Sequence, residues 1–190
     1  VTGLALSLSA CISLFPKSKP ATLYRFDGRS TEATASAVSS PRAQIGILRA
    51  TSLFNRAAAG DRILTVTGDQ VAYIADARWA SPAVSLWDEA AAQAFDLNTG
   101  PARVVHRGES ARFDYAMRLD VRNFEAVYDR GPESAPEVLV RVQMSLTRPG
   151  DQTLVEDRTL EARVRAGDNR VSAIVAAFDQ AVAQVLTEVV

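Results

Sequence analysis

The chain has 190 residues, and its 21 lysines and arginines nearly balance 22 aspartates and glutamates, for a formal net charge of −1. This length suits one domain with its own hydrophobic core, and near-neutral charge argues against a general nucleic-acid-binding protein, which needs a basic surface. One cysteine and one histidine exclude an internal disulfide framework and a Cys/His zinc cluster. No run approaches the roughly 20 apolar residues of a membrane-spanning helix.

The first eleven residues are small or apolar, carry no charged side chain and end at the only cysteine, Cys11. They look like the second half of a secretory signal without its basic start. The segment Leu8-Ser9-Ala10-Cys11 resembles a lipobox, the bacterial pattern after which the cysteine is acylated and becomes the first residue of a lipoprotein. The alternative is a buried cysteine in an N-terminal strand. The Pro- and Lys-containing stretch 15–20 favours a tether instead.

These features predict a signal-peptide remnant over 1–10, a lipidated cysteine and tether over 11–21, and one folded domain over 22–190. Each buried acyl methylene adds about 0.8 kcal/mol of membrane affinity, so several chains on Cys11 would anchor the protein stably. Ile12 follows the cysteine, in place of the Asp associated with inner-membrane retention. By resemblance to that sorting rule, we expect the periplasmic side of the outer membrane.

Early strands are predicted by alternating apolar residues over 22–27 and by an apolar stretch over 43–50. Segments 62–67 and 71–75 flank a Gly68-containing turn and predict a hairpin. Segment 30–40 is either a loop or a weak helical turn.

The first predicted helix begins at Ser81-Pro82, with Ser81 as the N-cap and Pro82 in the first helical position. Apolar residues recur at helical spacing from Val84 to Phe95, and the segment 98–101 ends the helix.

A block of strands follows. Residues 113–121 alternate strictly, and the apolar phase then slips by one residue before Phe124, which predicts a β-bulge near Arg122-Asn123. Segments 138–146 and 160–164, joined by a turn over 148–151, complete an antiparallel meander. The carboxylates and arginines that alternate with the apolar residues indicate a solvated sheet face. The arginines can reflect cross-strand pairing, a polar docking surface or composition bias alone.

The last helix covers about 171–189, where apolar residues keep an uninterrupted spacing of three and four. Ala173, Ala176 and Ala177 dilute the charge on its other side. They are either plain helix-favouring residues or a face where another subunit packs. Two helices on one face of a mostly antiparallel, possibly mixed sheet predict a two-layer α+β fold.

Catalytic signals are weak. His106 has Glu109 as its only nearby carboxylate, and no nucleophile, phosphate-loop, dinucleotide or zinc-protease motif occurs. We therefore expect a protein that is not an enzyme and uses no cofactor or metal. Trp79 and Trp87 bracket the start of the first helix, and core anchoring is the default interpretation for both. For Trp79, ligand contact is the alternative.

The order of elements, with Arg78-Trp79-Ala80-Ser81-Pro82, the segment Arg122-Asn123-Phe124-Glu125 and the closing helix, resembles the ABC-type transport auxiliary lipoprotein family. The resemblance implies a non-enzymatic accessory subunit of an MCE-type lipid transport system. Such a subunit lies beneath the outer membrane, docks an MCE-domain protein and can assemble into a homo-oligomeric ring. Cys11 matches the lipidated cysteine of the family. Arg78, Trp79 and Pro82 match a recurrent motif, for which we expect a structural role.

Two competing functions stay open. A lipid-binding carrier would need an apolar pocket of several hundred Å³ between helices and sheet. An envelope hydrolase would need a hydrogen-bonded pair of nucleophile and base.

Overall fold

The structure is a computed structural model that describes residues 20–29, 45–98, 100–105 and 112–190. The predictions on Cys11, on segment 30–40 and on His106 lie outside these residues. In chain order the elements are β1 (Thr22–Tyr24), β2 (Ile45–Arg49), β3 (Arg62–Thr67), β4 (Gln70–Trp79), α1 (Ala83–Leu97), β5 (Ala102–Val105), β6 (Tyr115–Val127), β7 (Glu137–Arg148), β8 (Thr153–Arg165) and α2 (Val171–Val189).

The strands form one mixed sheet with β6 at its centre. One edge of β6 pairs antiparallel with β7, and β7 pairs with β8, which confirms the predicted meander. The other edge of β6 pairs in parallel with β2 at one end and with β3 at the other. From β3 the sheet continues through β4 to β1, and from β2 it continues to β5. The α+β fold is confirmed.

The β-bulge is confirmed as well. The register of β6 against β7 shifts between Val121 and Asn123. Without the shift, the apolar residues after it would face the solvent, because successive side chains point to opposite faces of a strand. With it, one face of β6 stays buried along its length, through Met117, Leu119, Val121, Phe124 and Ala126.

The first strand is shorter than predicted. It ends at Tyr24 rather than at Asp27. The chain leaves the sheet there because Phe26 buries its ring in the core and the next two backbone N–H groups bond to a side chain of α2. The predicted hairpin of β3 and β4 is present, and β4 continues beyond the predicted segment to Trp79.

The start of α1 also differs from the prediction. Pro82, not Ser81, is the N-cap residue, and among the residues that the structure describes no side chain caps the helix. The backbone N–H groups of the first turn donate instead to backbone carbonyls of the loop before β3. The N–H of Ala83 donates to the carbonyl of Gly60 at 2.9 Å, and that of Val84 to the carbonyl of Ala59 at 3.3 Å. Because tertiary contacts satisfy these donors, the Ser81 hydroxyl is not needed as a cap.

The predicted bounds of α2 are confirmed, and its buried face packs on β7 and β8. The two helices lie side by side and run in the same direction. Asn98, just after α1, donates from its amide to the carbonyl of Val190, just after α2, at 2.8 Å. Both helices therefore shield the same core, with the last turns of α1 and α2 next to each other.

Candidate functional site

Trp79 belongs to an aromatic cluster between the sheet and the helices. Its side chain is 2% exposed. The ring meets Phe26 and Phe178 edge-on, with centroids 5.2 and 5.4 Å away, and lies 6.2 Å from Phe124. Aromatic pairs in these geometries add stability beyond the area they bury. Trp79, in the Arg-Trp-Ala-x-Pro stretch, is thus a core residue. We still predict a structural role for it.

The flanking residues of this stretch lie at the surface. Arg78 is half-buried, and its guanidinium lies 3.9 Å from the carboxylate of Asp61. The backbone N–H of Trp79 donates to the carbonyl of Asp61 at 2.7 Å. Pro82 is exposed at the start of α1. The contacts of Arg78 and Trp79 with Asp61 attach the loop before β3 to the junction of β4 and α1.

The segment 26–28 passes over the seam, which is the line along which α1 and α2 meet. The carboxylate of Asp179 in α2 accepts hydrogen bonds from the N–H groups of Asp27 and Gly28, each at 2.8 Å. Gly28 has φ of +65°, and a Cβ there would lie 2.8 Å from Val182 Cγ1. Only glycine suits a position that combines a left-handed backbone with so close an approach.

Beyond this crossing, an open groove of about 390 Å³ runs between α1 and α2. Its walls are mainly small and aliphatic side chains, with Arg29 and Gln93 near one end and Asn98 near the other. The aliphatic wall residues are Ala90, Ala94, Leu97, Ala183, Leu186 and Val190. Leu97 is 60% exposed, which makes this end of the groove an apolar patch on the surface. This groove is the candidate binding site.

The groove differs from the pocket that a carrier was expected to have. The space between sheet and helices is filled by the aromatic cluster and by fully buried aliphatic side chains. The groove instead opens outward between the helices, and alanines and leucines dominate its wall. A ligand would therefore lie on the helical layer rather than inside the core.

The three alanines proposed as an oligomer face do not share one environment. Ala176 is exposed and Ala173 is half-buried, so both stay candidates for that face. Ala177 is 4% exposed and belongs to the core, so its assignment to an outer face is wrong. The reason is that α2 buries an arc wider than the apolar periodicity alone suggests, and small residues at its border are covered by their neighbours.

The outer face of the meander carries the arginines as cross-strand pairs. Glu161 on β8 accepts from Arg141 on β7 and, at 2.7 Å, from Arg163 on its own strand. Arg163 and Arg165 also reach Glu137 on β7, at 3.4 and 3.1 Å. Of the three interpretations left open for the arginines, cross-strand pairing is the one with direct contacts.

These contacts keep the carboxylates ionised. A hydrogen bond from Arg165 lowers the pKa of Asp129 to about 2. Hydrogen bonds from Arg141 and Arg163 lower the pKa of Glu161. A general acid needs a raised pKa, so neither carboxylate is suited to that role.

Asp120 was missed by the sequence analysis, which grouped it with the solvated residues of β6. It is 5% exposed and accepts from Arg118 at 2.7 and 2.8 Å and from the N–H of Leu53 at 2.8 Å. Burial opposes its ionisation, but the bonds from Arg118 and Leu53 prevail and lower its pKa. Asp120 thereby holds the segment after β2 against the middle of β6. Strict alternation along β6 contains no signal that distinguishes it from its exposed neighbours.

Within the described residues, no cluster of three or more His, Cys, Asp or Glu side chains could bind a metal ion. None of the helices in the same residues has the length and apolar character needed to span a membrane.

A family model described as the ABC-type transport auxiliary lipoprotein component matches residues 24–190. No curated protein sequence matches the chain. Among solved structures, a Xanthomonas campestris protein of the family DUF330 is 28% identical, with a TM-score of 0.75 over 89% of this chain and 92% of that one. An uncharacterized protein is 14% identical, with a TM-score of 0.66 over 90% and 97%. A hypothetical protein from Chlamydia trachomatis is 7% identical, with a TM-score of 0.53 over 77% and 94%, and shows the fold alone.

Proposed function

Since the chain belongs to the ABC-type transport auxiliary lipoprotein family, we propose that it is a non-enzymatic docking subunit of an MCE-type lipid transport system. In this proposal acyl chains on Cys11 hold it at the periplasmic side of the outer membrane. The folded domain binds the MCE-domain protein that leads lipid across the periplasm. Family membership itself indicates a membrane-associated, periplasmic component of ABC-type transport.

The filled core is the observation that carries a docking role. Trp79, Phe124 and Phe178 occupy the interface of sheet and helices, so the part of the domain that the structure describes leaves no interior chamber there for cargo. On the outer face of the meander, Glu161 and Asp129 are paired with arginines, which suits a rigid surface better than acid–base chemistry. A rigid body on a lipid anchor gains effective concentration at the membrane, so individually weak contacts with a partner suffice.

Binding can be tested with the MCE-domain protein encoded beside an ATPase and a permease in the same genome. The full chain with Cys11→Ser and that protein are purified separately, mixed and followed by sedimentation velocity. The proposal predicts a complex whose amount rises with either component. Independent sedimentation of the two proteins at about 100 μM each would contradict it, because even a weak complex with a Kd of about 10 μM is mostly assembled at that concentration.

The groove between α1 and α2 supports a second candidate, a lipid-binding carrier. Its volume of about 390 Å³ falls within the roughly 300–1,000 Å³ typical of small-molecule sites. Ala94→Trp would fill the groove from α1, while Ala92→Trp places the same side chain on α1 at a residue that does not line it. Native mass spectrometry after incubation with phospholipid vesicles distinguishes the roles. A carrier loses bound lipid in the first variant alone, whereas a docking subunit carries none in either.

A further inference from the structure

The last strand of the sheet, β8, has an open outer edge. Among the described residues it pairs only with β7. An unpaired edge offers a row of N–H and C=O groups to another strand, and proteins usually block such edges with charged residues that point inward or with prolines. The positions of inward-pointing charges and prolines along β8 therefore indicate whether its edge can pair with another strand.

The two halves of β8 differ in this respect. In the first half Glu156, Asp157 and Arg158 follow one another, so both faces of the strand are charged. In the second half, Thr159–Arg165, the side chains toward the helices are Leu160, Ala162 and Val164, all buried and apolar. No proline and no inward charge interrupts this half. The second half can accept a strand, while the first half is protected against one.

From these features we propose that the second half of β8 binds the same segment of a second copy, antiparallel, about a two-fold axis at Ala162. This register places Glu161 of each copy opposite Arg163 of the other, and Leu160 opposite Val164. With the axis at Glu161 or at Arg163, that residue would lie opposite the identical residue of the second copy, and the two like charges would destabilise the pair. An axis at Leu160 would put Arg158 opposite Ala162 on the face that the helices cover.

The charges needed for this pairing are accessible. The side chains of Arg163 and Glu161 are 47% and 31% exposed, although both already take part in pairs within the chain. Opposite charges directly across an antiparallel pair stabilise it, and like charges destabilise it. Glu161 and Arg163 are thus complementary to the same two residues of a second copy when the axis passes through Ala162.

The helix layer leaves room for a second copy. α2 runs back along β8, and the guanidinium of Arg158 donates to the carbonyl of Glu188 at 2.6 Å. α1 lies against one flank of α2. Helical geometry places Ala173 and Gln184 on the opposite flank, above the β8 edge. Small and uncharged side chains there let the α2 helices of two copies approach each other as the sheets join.

The experiment uses the full chain with Cys11→Ser, so its outcome does not depend on the lipid anchor or on an MCE partner. Sedimentation equilibrium gives the dimer dissociation constant of the parent and of Glu161→Arg, Arg163→Glu and the double variant. Each single reversal creates like-charge pairs across the axis and is expected to weaken the dimer at least tenfold. The double variant restores opposite charges across the axis but sets them against Arg141 and Glu137 of their own chain, so it should dimerise more tightly than either single variant without reaching the parent. Asp69→Arg, a reversal in the exposed turn between β3 and β4, is the control and should change nothing.

Three results would overturn the proposal: a monomeric parent at all concentrations, an oligomer indifferent to the single reversals, and a double variant as weak as the singles. Hydrogen exchange of the parent gives a second measurement that needs no substitution. Amides within Thr159–Arg165 should become more protected as concentration rises, while those of β5, another edge strand, should not. Equal protection at all concentrations would contradict an interface at β8.

Discussion

A single carboxylate oxygen of Asp179 accepts the backbone N–H groups of both Asp27 and Gly28, across about 150 positions of sequence. These bonds fix the segment that follows β1 in the seam between the helices. The segment forms one wall of the groove, so the same contact determines the shape of the candidate binding site.

Asp179→Ala should lower the free energy of unfolding by about 2 kcal/mol, because it leaves two partly buried N–H donors without an acceptor. Urea denaturation measures this loss. Gln180→Ala, at the next and exposed position of α2, is the control and should stay within about 0.5 kcal/mol of the parent. Equal effects of the two substitutions would show that the hydrogen bonds contribute nothing.

Gly28→Ala tests the close approach at the seam. Gly28 and Gly68 have similar backbones, with φ of +65° and +55°, but no atom of the described part of the chain lies within 4 Å of the Cβ position at Gly68. Both substitutions meet the left-handed backbone strain, and only the one at Gly28 also forces Val182 and Leu186 aside. We expect Gly28→Ala to cost about 2 kcal/mol more than Gly68→Ala in denaturation experiments. Equal losses of stability in the two variants would mean that Val182 and Leu186 move aside with no cost in free energy.

Trp79→Ala distinguishes a structural tryptophan from one that contacts a ligand. Removing a buried aromatic ring from the cluster should cost about 3–5 kcal/mol of stability, through lost burial and the cavity left behind. Arg78→Ala removes only an exposed ion pair and should cost less than about 1 kcal/mol. Thermal unfolding of both variants tests this. A stable Trp79→Ala protein that no longer binds its partner would favour the ligand-contact interpretation.

Because of the ion pair between Asp129 and Arg165, we expect the stability of the folded protein to fall at acidic pH. The pKa of Asp129 falls from an ordinary 3.8 to about 2 in the folded protein, chiefly through the hydrogen bond from Arg165. Between these values the unfolded chain binds more protons than the folded one, so this pair's contribution to stability is lost as the pH drops from about 4 to 2.

In an NMR titration, Arg165→Gln should return the pKa of Asp129 toward 3.8. Arg130→Gln should change it less, since Arg130 lies 3.9 Å away and acts only through its charge. An Arg165→Gln protein with an unchanged titration would show that another group sets the pKa.

How much could be predicted from the sequence depends on whether the signal is local. The phase slip before Phe124 predicted the bulge because alternation in a buried strand leaves no other way to keep Ala126 inside. The early β-strands were harder: β1, β2 and β5 pair in parallel with strands distant in sequence, and such register leaves no local trace. The role of Asp179 and the burial of Asp120 likewise depend on partners from other segments.

The most direct measurement of the central claim is intact-mass spectrometry of the protein purified from native membranes, together with fractionation of a Cys11→Ala variant. We expect an N-terminus at Cys11 carrying acyl chains, and a variant that leaves the membrane fraction for the soluble periplasm. An unmodified thiol on Cys11, or a variant that stays with the membrane, would contradict a lipid-anchored docking subunit.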